Sequence, residues 1–313
     1  MEFFKKLKNF FLSLLEQEIF FFLAMPAVVW QVFFLLIPAL VLVAKTFVVY
    51  RPEGLIFGLG NYFSCFDKAY FSCILNSLVL AYKTAFFSLL VSLPLSLVVN
   101  FWVRPSLRVP ILLFLMLPSW TNFIIRIYSW FFLLRDDAFF PLLLKKCGLL
   151  SQNSSLLANS YTAQMVMVYC YFPFMLVPIN SAIANLEPKL LEASSDLGAS
   201  IWQTFLRIIF PLIARGVFFG CLIVVLSAFG ECVIPDFVEG AKSFYWGNVV
   251  VSKFLFVSDH GAGGAIVFVG LAVLAGSVFV FSILFRLFLS LLHYLFYGGS
   301  NFVLVNYYSK SEK

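Results

Sequence analysis

The chain has 313 residues, 62% of them hydrophobic and 12% charged, with a mean hydropathy of +0.99. That balance leaves too little polar surface for a water-soluble domain of this size, so it describes a polytopic membrane protein. The net charge of +6 comes from 21 Lys+Arg against 15 Asp+Glu. With no basic run interleaved with aromatics, the excess points to cytoplasmic loops and away from nucleic acid.

Lys5, Lys6 and Lys8 precede an apolar stretch that Glu16 and Glu18 interrupt, and no cleavage site followed by a soluble domain is present. Residues 1–24 therefore read as a cytoplasmic amphipathic segment. A bilayer-spanning helix needs roughly 20 mostly apolar residues. Six stretches qualify, at about 25–49, 73–102, 109–134, 161–186, 212–234 and 262–293. They define a membrane domain over 25–295, followed by a cytoplasmic tail at 296–313. With both termini inside, the inner segments carry 11 Lys/Arg and the outer ones 7, the expected direction of bias. Among the outer segments, 135–160 contains an apolar patch, Pro141 to Leu144, that predicts a short surface helix.

The six cysteines form no C-x-x-C and no zinc spacing. G-x-x-x-x-G-K-[ST] is absent, and Gly240-Ala241-Lys242-Ser243 lacks the Gly-Lys pair of a phosphate loop. His260 and His293 lie at opposite ends of the last span, with no metal cluster around either. No nucleophile–base pair stands out, and no cofactor is expected.

Charges inside spans are more informative, because each is costly at mid-membrane without a partner or water. Lys45 and Lys83 are placed to snorkel. Arg126 lies deeper, after Pro118, Ser119, Trp120, Thr121 and Asn122, on a stretch too polar to face lipid throughout. Glu231 closes the fifth span. It either pairs with Arg126 as a structural bridge or faces a water-filled path and meets a cation. Trp120 is either an interfacial anchor or a cation–π surface. Asp236 joins Glu231 as a second carboxylate facing such a path.

The longest polar interruption that reads as folded is Glu187–Pro211. Pro188 suits a first helical turn, and Leu190, Leu191 and Leu197 form an apolar stripe. Gly198 fits the left-handed position just past the helix end. Ile201, Phe205 and Ile208 begin a second helix that Pro211 is expected to end.

Glu192-Ala193-Ser194, three residues, Gly198, nine residues, Ile208, one residue, Phe210-Pro211 resembles the cytoplasmic signature of ABC importer permeases, E-A-A-x3-G-x9-I-x-L-P. Ser194 and Phe210 are mild departures. Leu117 to Asn122, Ile125 to Tyr128, Gly230 to Pro235 and Gly247 to Val250 are similar to stretches of the spermidine/putrescine permeases, over roughly residues 25–295. Val257 to Gly261 departs from the Arg-Asp/Asn-Trp-Pro-like stretch that members often carry. The resemblance implies an all-α type I importer fold of six transmembrane helices with a cytoplasmic coupling helix. The chain would be a transport subunit and not an enzyme, in a bacterial inner membrane. It would work with two cytoplasmic ATPase subunits, a homologous second permease and an extracytoplasmic polyamine-binding protein. Glu192, Ala193, Ser194, Gly198 and Pro211 would carry coupling. Trp120, Arg126, Glu231 and Asp236 would line the cation path.

Overall fold

The computed structural model describes residues 24–51, 54–148, 151, 154–240 and 244–297. The expected N-terminal segment and tail lie almost wholly outside them. The chain divides into two compact units: residues up to 67 with 250–269, and 68–249 with 270 onward.

In the first unit, α1 (Ala24–Thr46) is the first span, with a π-turn at Val32–Leu36. An unexpected antiparallel hairpin follows, β1 (Val48–Arg51) with β2 (Gly54–Phe57), and then α2 (Gly60–Cys65). Buried Asn61 ties these pieces, its amide donating to the carbonyls of Thr46 at 3.0 Å and Val48 at 2.9 Å.

The second unit is built on α3 (Lys68–Phe101), α4 (Pro105–Trp120), α5 (Phe123–Leu134), α6 (Phe139–Lys146), α7 (Ser160–Ala184), α8 (Pro188–Asp196) and α9 (Ile201–Phe229). α6 is the predicted surface helix. Two short helices, α10 (Val233–Val238) and α11 (Trp246–Val251), precede α12 (His260–Tyr297), which starts in the first unit and continues into the second.

The core of the second unit is α3, α7 and α9. α3 presents a buried stripe of small residues at four-residue intervals: Ser77, Ala81, Ala85 and, on the adjoining row, Thr84, Ser88, Ser92, Ser96 and Asn100. Small side chains let helix backbones approach, and their hydroxyls bond across the seam. Gln164 donates to Thr84 at 2.8 Å, Ser92 to the Phe172 carbonyl at 3.1 Å, and Asn100 to Asn180 at 2.7 Å. Each partner is 80 residues further along the chain, so α3 and α7 run parallel. α9 packs antiparallel against α7 and also lies against α3. A Cβ on Gly216 would meet the Pro178 carbonyl oxygen at 2.6 Å, and one on Gly220 the Met175 sulfur at 2.7 Å. Those two glycines are where α9 comes closest.

The third span departs from expectation. Residues 109–134 are not one helix: α4 and the helical stretch Phe123–Lys146 meet at an 87° bend. α4 has 16 residues and α5 has 12, or roughly 24 and 18 Å at 1.5 Å per residue. Neither alone spans a hydrocarbon core of about 30 Å. Because α3 and α7 are parallel, the chain between them has to return across the membrane, and the bent pair supplies that crossing. Among the described residues five helices are long and apolar enough to span by themselves, and the bent pair taken as one span makes six.

The physical cause of the break is local. Ser119 and Thr121 donate to the carbonyls of Met116 and Pro118, at 2.6 and 2.7 Å. Thr121 is extended, and the Asn122 side chain accepts from the Ile124 N–H at 2.9 Å as an N-cap. Side chains that bond nearby backbone end one helix and start the next.

The predicted hairpin boundary at Pro211 is also corrected. Pro211 does not end a helix; it lies inside α9, which runs unbroken from Ile201 to Phe229. A π-turn at Phe205–Ile209 precedes it, with the Phe210 N–H bonded back to the Phe205 carbonyl. The wider turn receives a proline ring that an unbroken α-helical ladder would not. The fifth span therefore starts well before residue 212 and stops at Phe229, short of 234.

Candidate functional site

Two places carry the candidate residues. The first is the hairpin of α8 and the start of α9. Gly198 has φ +73°. Around it, the Gly198 N–H bonds to the Ser195 carbonyl at 2.9 Å and the Ala199 N–H to the Ser194 carbonyl at 3.1 Å. That is a Schellman ending, which needs the left-handed residue the sequence supplies. Ser200 then opens α9 with a capping box, accepting from the Gln203 N–H while Gln203 accepts from the Ser200 N–H. The S-x-x-Q spacing carried that signal. The turn is thus locked on both sides. Ser194 is 4% exposed and shares a 2.7 Å hydrogen bond with the Thr204 hydroxyl, fastening α8 to α9. The departure from alanine at this position therefore adds a bond. Glu192 and Ala193 are exposed on α8. Leu197 and Ile201 are each 88% exposed and Trp202 is 72% exposed, so the hairpin tip offers an apolar face beside the Glu192 carboxylate.

The second place is the break between α4 and α5 together with the stretch after α9. Trp120 is exposed at the end of α4, while Arg126, one turn into α5, is buried. Arg126 donates to the carbonyls of Thr121 at 3.2 Å and Cys170 at 3.5 Å, and lies 5.8 Å from the Phe123 ring centre.

Of the two readings for Glu231, the bridge to Arg126 is not formed in this structure. One oxygen of Glu231 accepts from the Val233 and Ile234 N–H groups at 2.8 and 3.3 Å, and the other from the Tyr171 hydroxyl at 2.7 Å. The buried carboxylate thereby caps α10 and clamps it to α7. Nothing in the sequence marks Tyr171 as its partner. We expect Glu231→Ala, which orphans three donors, to lower stability by about 3 kcal/mol, and Glu231→Gln by much less. The midpoint of thermal unfolding in detergent measures this, and equal midpoints for Glu231→Ala and the unaltered protein would refute the clamp.

Asp236 is exposed on α10 and accepts a hydrogen bond from the Asn248 amide. Its surroundings push its carboxyl above the usual carboxylate range, with the Asn248 amide pulling the other way. Glu239, which sequence reasoning did not single out, is buried and accepts from the hydroxyls of Ser160 and, at 2.9 Å, Tyr245. Trp246 stacks on Phe229 with ring centres 4.7 Å apart, and its backbone N–H donates to the Ser77 hydroxyl at 2.8 Å. The segment from Glu231 to Asn248 is thus pinned to α3, α7 and α9. Lys45 and Lys83 are exposed, as snorkelling requires. The six cysteines are free, and among the described residues no group of side chains is placed to hold a metal ion.

No protein-family model matches the chain. The fold is that of an ABC importer permease. It superposes with a TM-score of 0.71 on a chain of a bacterial ABC transporter that imports the acidic polysaccharide alginate, covering 89% of this chain and 98% of that one at 18% identity. Sequence narrows the class. The chain is 36% identical over 249 residues to the spermidine/putrescine transport system permease protein PotB of Haemophilus influenzae, 78% of this chain and 86% of that protein. It is 35% identical to PotB of Escherichia coli K12, over 75% of this chain and 86% of that protein. The chain belongs to the spermidine/putrescine transport permease family.

Proposed function

We propose that this chain is the permease subunit of an ATP-driven importer that carries spermidine or putrescine across a bacterial inner membrane, with both termini in the cytoplasm. The observation that carries the coupling half of this reading is the hairpin. An exposed apolar tip at Leu197, Ile201 and Trp202 stands on a turn locked by Gly198 and Ser200. It is continuous with a span of 29 residues, roughly 43 Å of helix. An ATPase subunit seated on that tip would move α8 and α9 together, because the Ser194–Thr204 bond fastens one to the other. At the far end of the same rod lie Gly230 and Glu231. Closure of the ATPase pair on ATP would shift the population between two packings of the spans. ATP is hydrolysed in that separate subunit, and this chain does no covalent chemistry. A second permease of the family would complete the path, and a polyamine-binding protein would load it.

The path itself we assign to the break in the third span. Thr121 and Asn122 are exposed, and their backbone is irregular between two half-length helices. Irregular backbone at membrane depth is tolerated only where it is covered by protein or lines water. Trp120 and Asp236 offer an aromatic face and a carboxylate, the chemistry an ammonium chain meets. Arg126 and Glu231 are the buried charges of the same two segments. A polycation entering a negative-inside cell is drawn by about 2.3 kcal/mol per charge per 100 mV, so the path must admit cargo without conducting small cations.

The test is reconstitution with the partner permease, ATPase and binding protein in vesicles. We expect ATP-dependent accumulation of labelled spermidine. Accumulation of an oxyanion, iron or an amino acid in its place would overturn the cargo, and uptake without ATPase would overturn the class.

A further inference from the structure

We infer that Arg126 is a resident cation that keeps the translocation path closed to protons and alkali cations when no cargo is in it. The inference rests on the path proposed above.

Depth is the first observation. The guanidinium bonds the carbonyl of Cys170, close to the middle of α7, Ser160–Ala184. A side chain anchored there cannot reach either headgroup layer, so snorkelling does not account for it. Compensation is the second. Arg126 is 8% exposed, its Nε is buried without a hydrogen-bond partner, its two hydrogen bonds go to neutral carbonyls, and its remaining contact is the Phe123 ring. No ion pair joins it to Glu231, whose two oxygens are taken by Tyr171 and the start of α10. A guanidinium that only stapled helices would be expected to take a carboxylate and fill its donors. The third observation is position. One of its carbonyl partners is Thr121, an exposed residue of the break. A full positive charge therefore lies just under irregular, polar backbone at mid-membrane.

The physical consequence is an electrostatic barrier. In a poorly polarisable interior, a fixed cation repels another cation nearby and slows its passage, as arginines in selective pores do. A small cation carries a single charge and must leave any carboxylate that holds it before it can pass the arginine. A polyamine spreads several charges along a chain, so it can stay bound to carboxylates such as Asp236 while one amine passes the arginine.

The experiment uses the assembled complex of both permeases and the ATPases in sealed vesicles, with an imposed inside-negative potential and neither ATP nor polyamine. Proton and sodium entry are followed with internal dyes, and copurification of the ATPase reports assembly. We expect Arg126→Gln to raise cation entry by at least about tenfold, and Arg126→Lys to stay close to the unaltered complex. Asn122→Asp is the second variant. It is isosteric, keeps the N-cap and places a carboxylate one helical turn before Arg126, so it should leak as well; it decides alone if Arg126→Gln fails to assemble. Tight vesicles with Asn122→Asp would overturn the inference, as would equal leaks through Arg126→Lys and Arg126→Gln. Because the readout needs no cargo, a complex that carries something other than polyamine would overturn the cargo and leave this result standing.

Discussion

Gly198→Val should reduce ATP-driven uptake by more than tenfold, on the order of the loss expected when a docking geometry is displaced, while the chain still inserts. Apart from its own chain neighbours, nothing lies within 4 Å of where a Cβ would sit on Gly198, so tertiary crowding has no part in the effect. The cost is in the backbone, at φ +73°. A left-handed conformation costs an L-residue about 1–2 kcal/mol, and a β-branched one more. Valine is expected to abandon it, undoing the two hydrogen bonds that end α8 and swinging that helix away from Ser200. The Ser194–Thr204 bond would then hold a misdirected helix. Asparagine tolerates the left-handed region, so Gly198→Asn should transport at near the unaltered rate. Uptake and ATPase copurification, measured on both variants, separate the cases. Normal uptake by Gly198→Val would end the coupling assignment.

Gly270→Ala should be the most destabilising single methyl in the second unit. The new Cβ would lie 2.2 Å from Nε1 and 2.5 Å from Cε2 of Trp246. The indole cannot yield easily, because it stacks on Phe229 and its backbone is held by Ser77. Overpacking of this kind costs about 1–3 kcal/mol. Eviction of the indole would add the loss of a large half-buried ring and of its stacking on Phe229. We expect a lower unfolding midpoint in detergent, and a smaller penalty for Gly270→Ala in a Trp246→Ala background. The two sites touch, so their effects should not add. Strict additivity would show that the indole is not seated against Gly270.

Much of this architecture was legible in the sequence, for identifiable reasons. The hairpin was readable because Pro188 and Gly198 act through their own backbone chemistry, which needs no neighbour. The spans were readable from apolar run length. Pro211 misled because proline breaks an α-helix by rule, and the π-turn that accommodates it leaves no compositional mark. The break in the third span was visible as a cluster of Pro118, Ser119, Thr121 and Asn122, yet run length favoured a single helix. Only the side-chain bonds to nearby carbonyls show that the cluster ends one helix and caps another. Tyr171 and Ser160, the partners that Glu231 and Glu239 take from α7, lie 60 and 79 residues away along the chain and meet them only through packing. Periodicity carries no information about such pairs. The interdigitation of Trp246 with Gly270 depends in the same way on tertiary packing.

The π-turn at Phe205–Ile209 sets an angular phase. A π-turn amounts to one residue too many in an α-helix, so it rotates everything before it by roughly 100° relative to everything after. The direction in which Ile201 and Trp202 face, measured against the membrane half of α9, is therefore set by a residue count. Removing a single residue from that turn would run a regular ladder through Pro211, so the deletion paired with Pro211→Ala is the change that restores an ordinary helix and leaves the span in place. The same change would point the tip at Leu197, Ile201 and Trp202 a quarter-turn or more away from the ATPase proposed to sit there. On that proposal the register between tip and span is indexed like the teeth of a gear, and a chimaeric permease that joins the hairpin of one relative to the spans of another must keep the count.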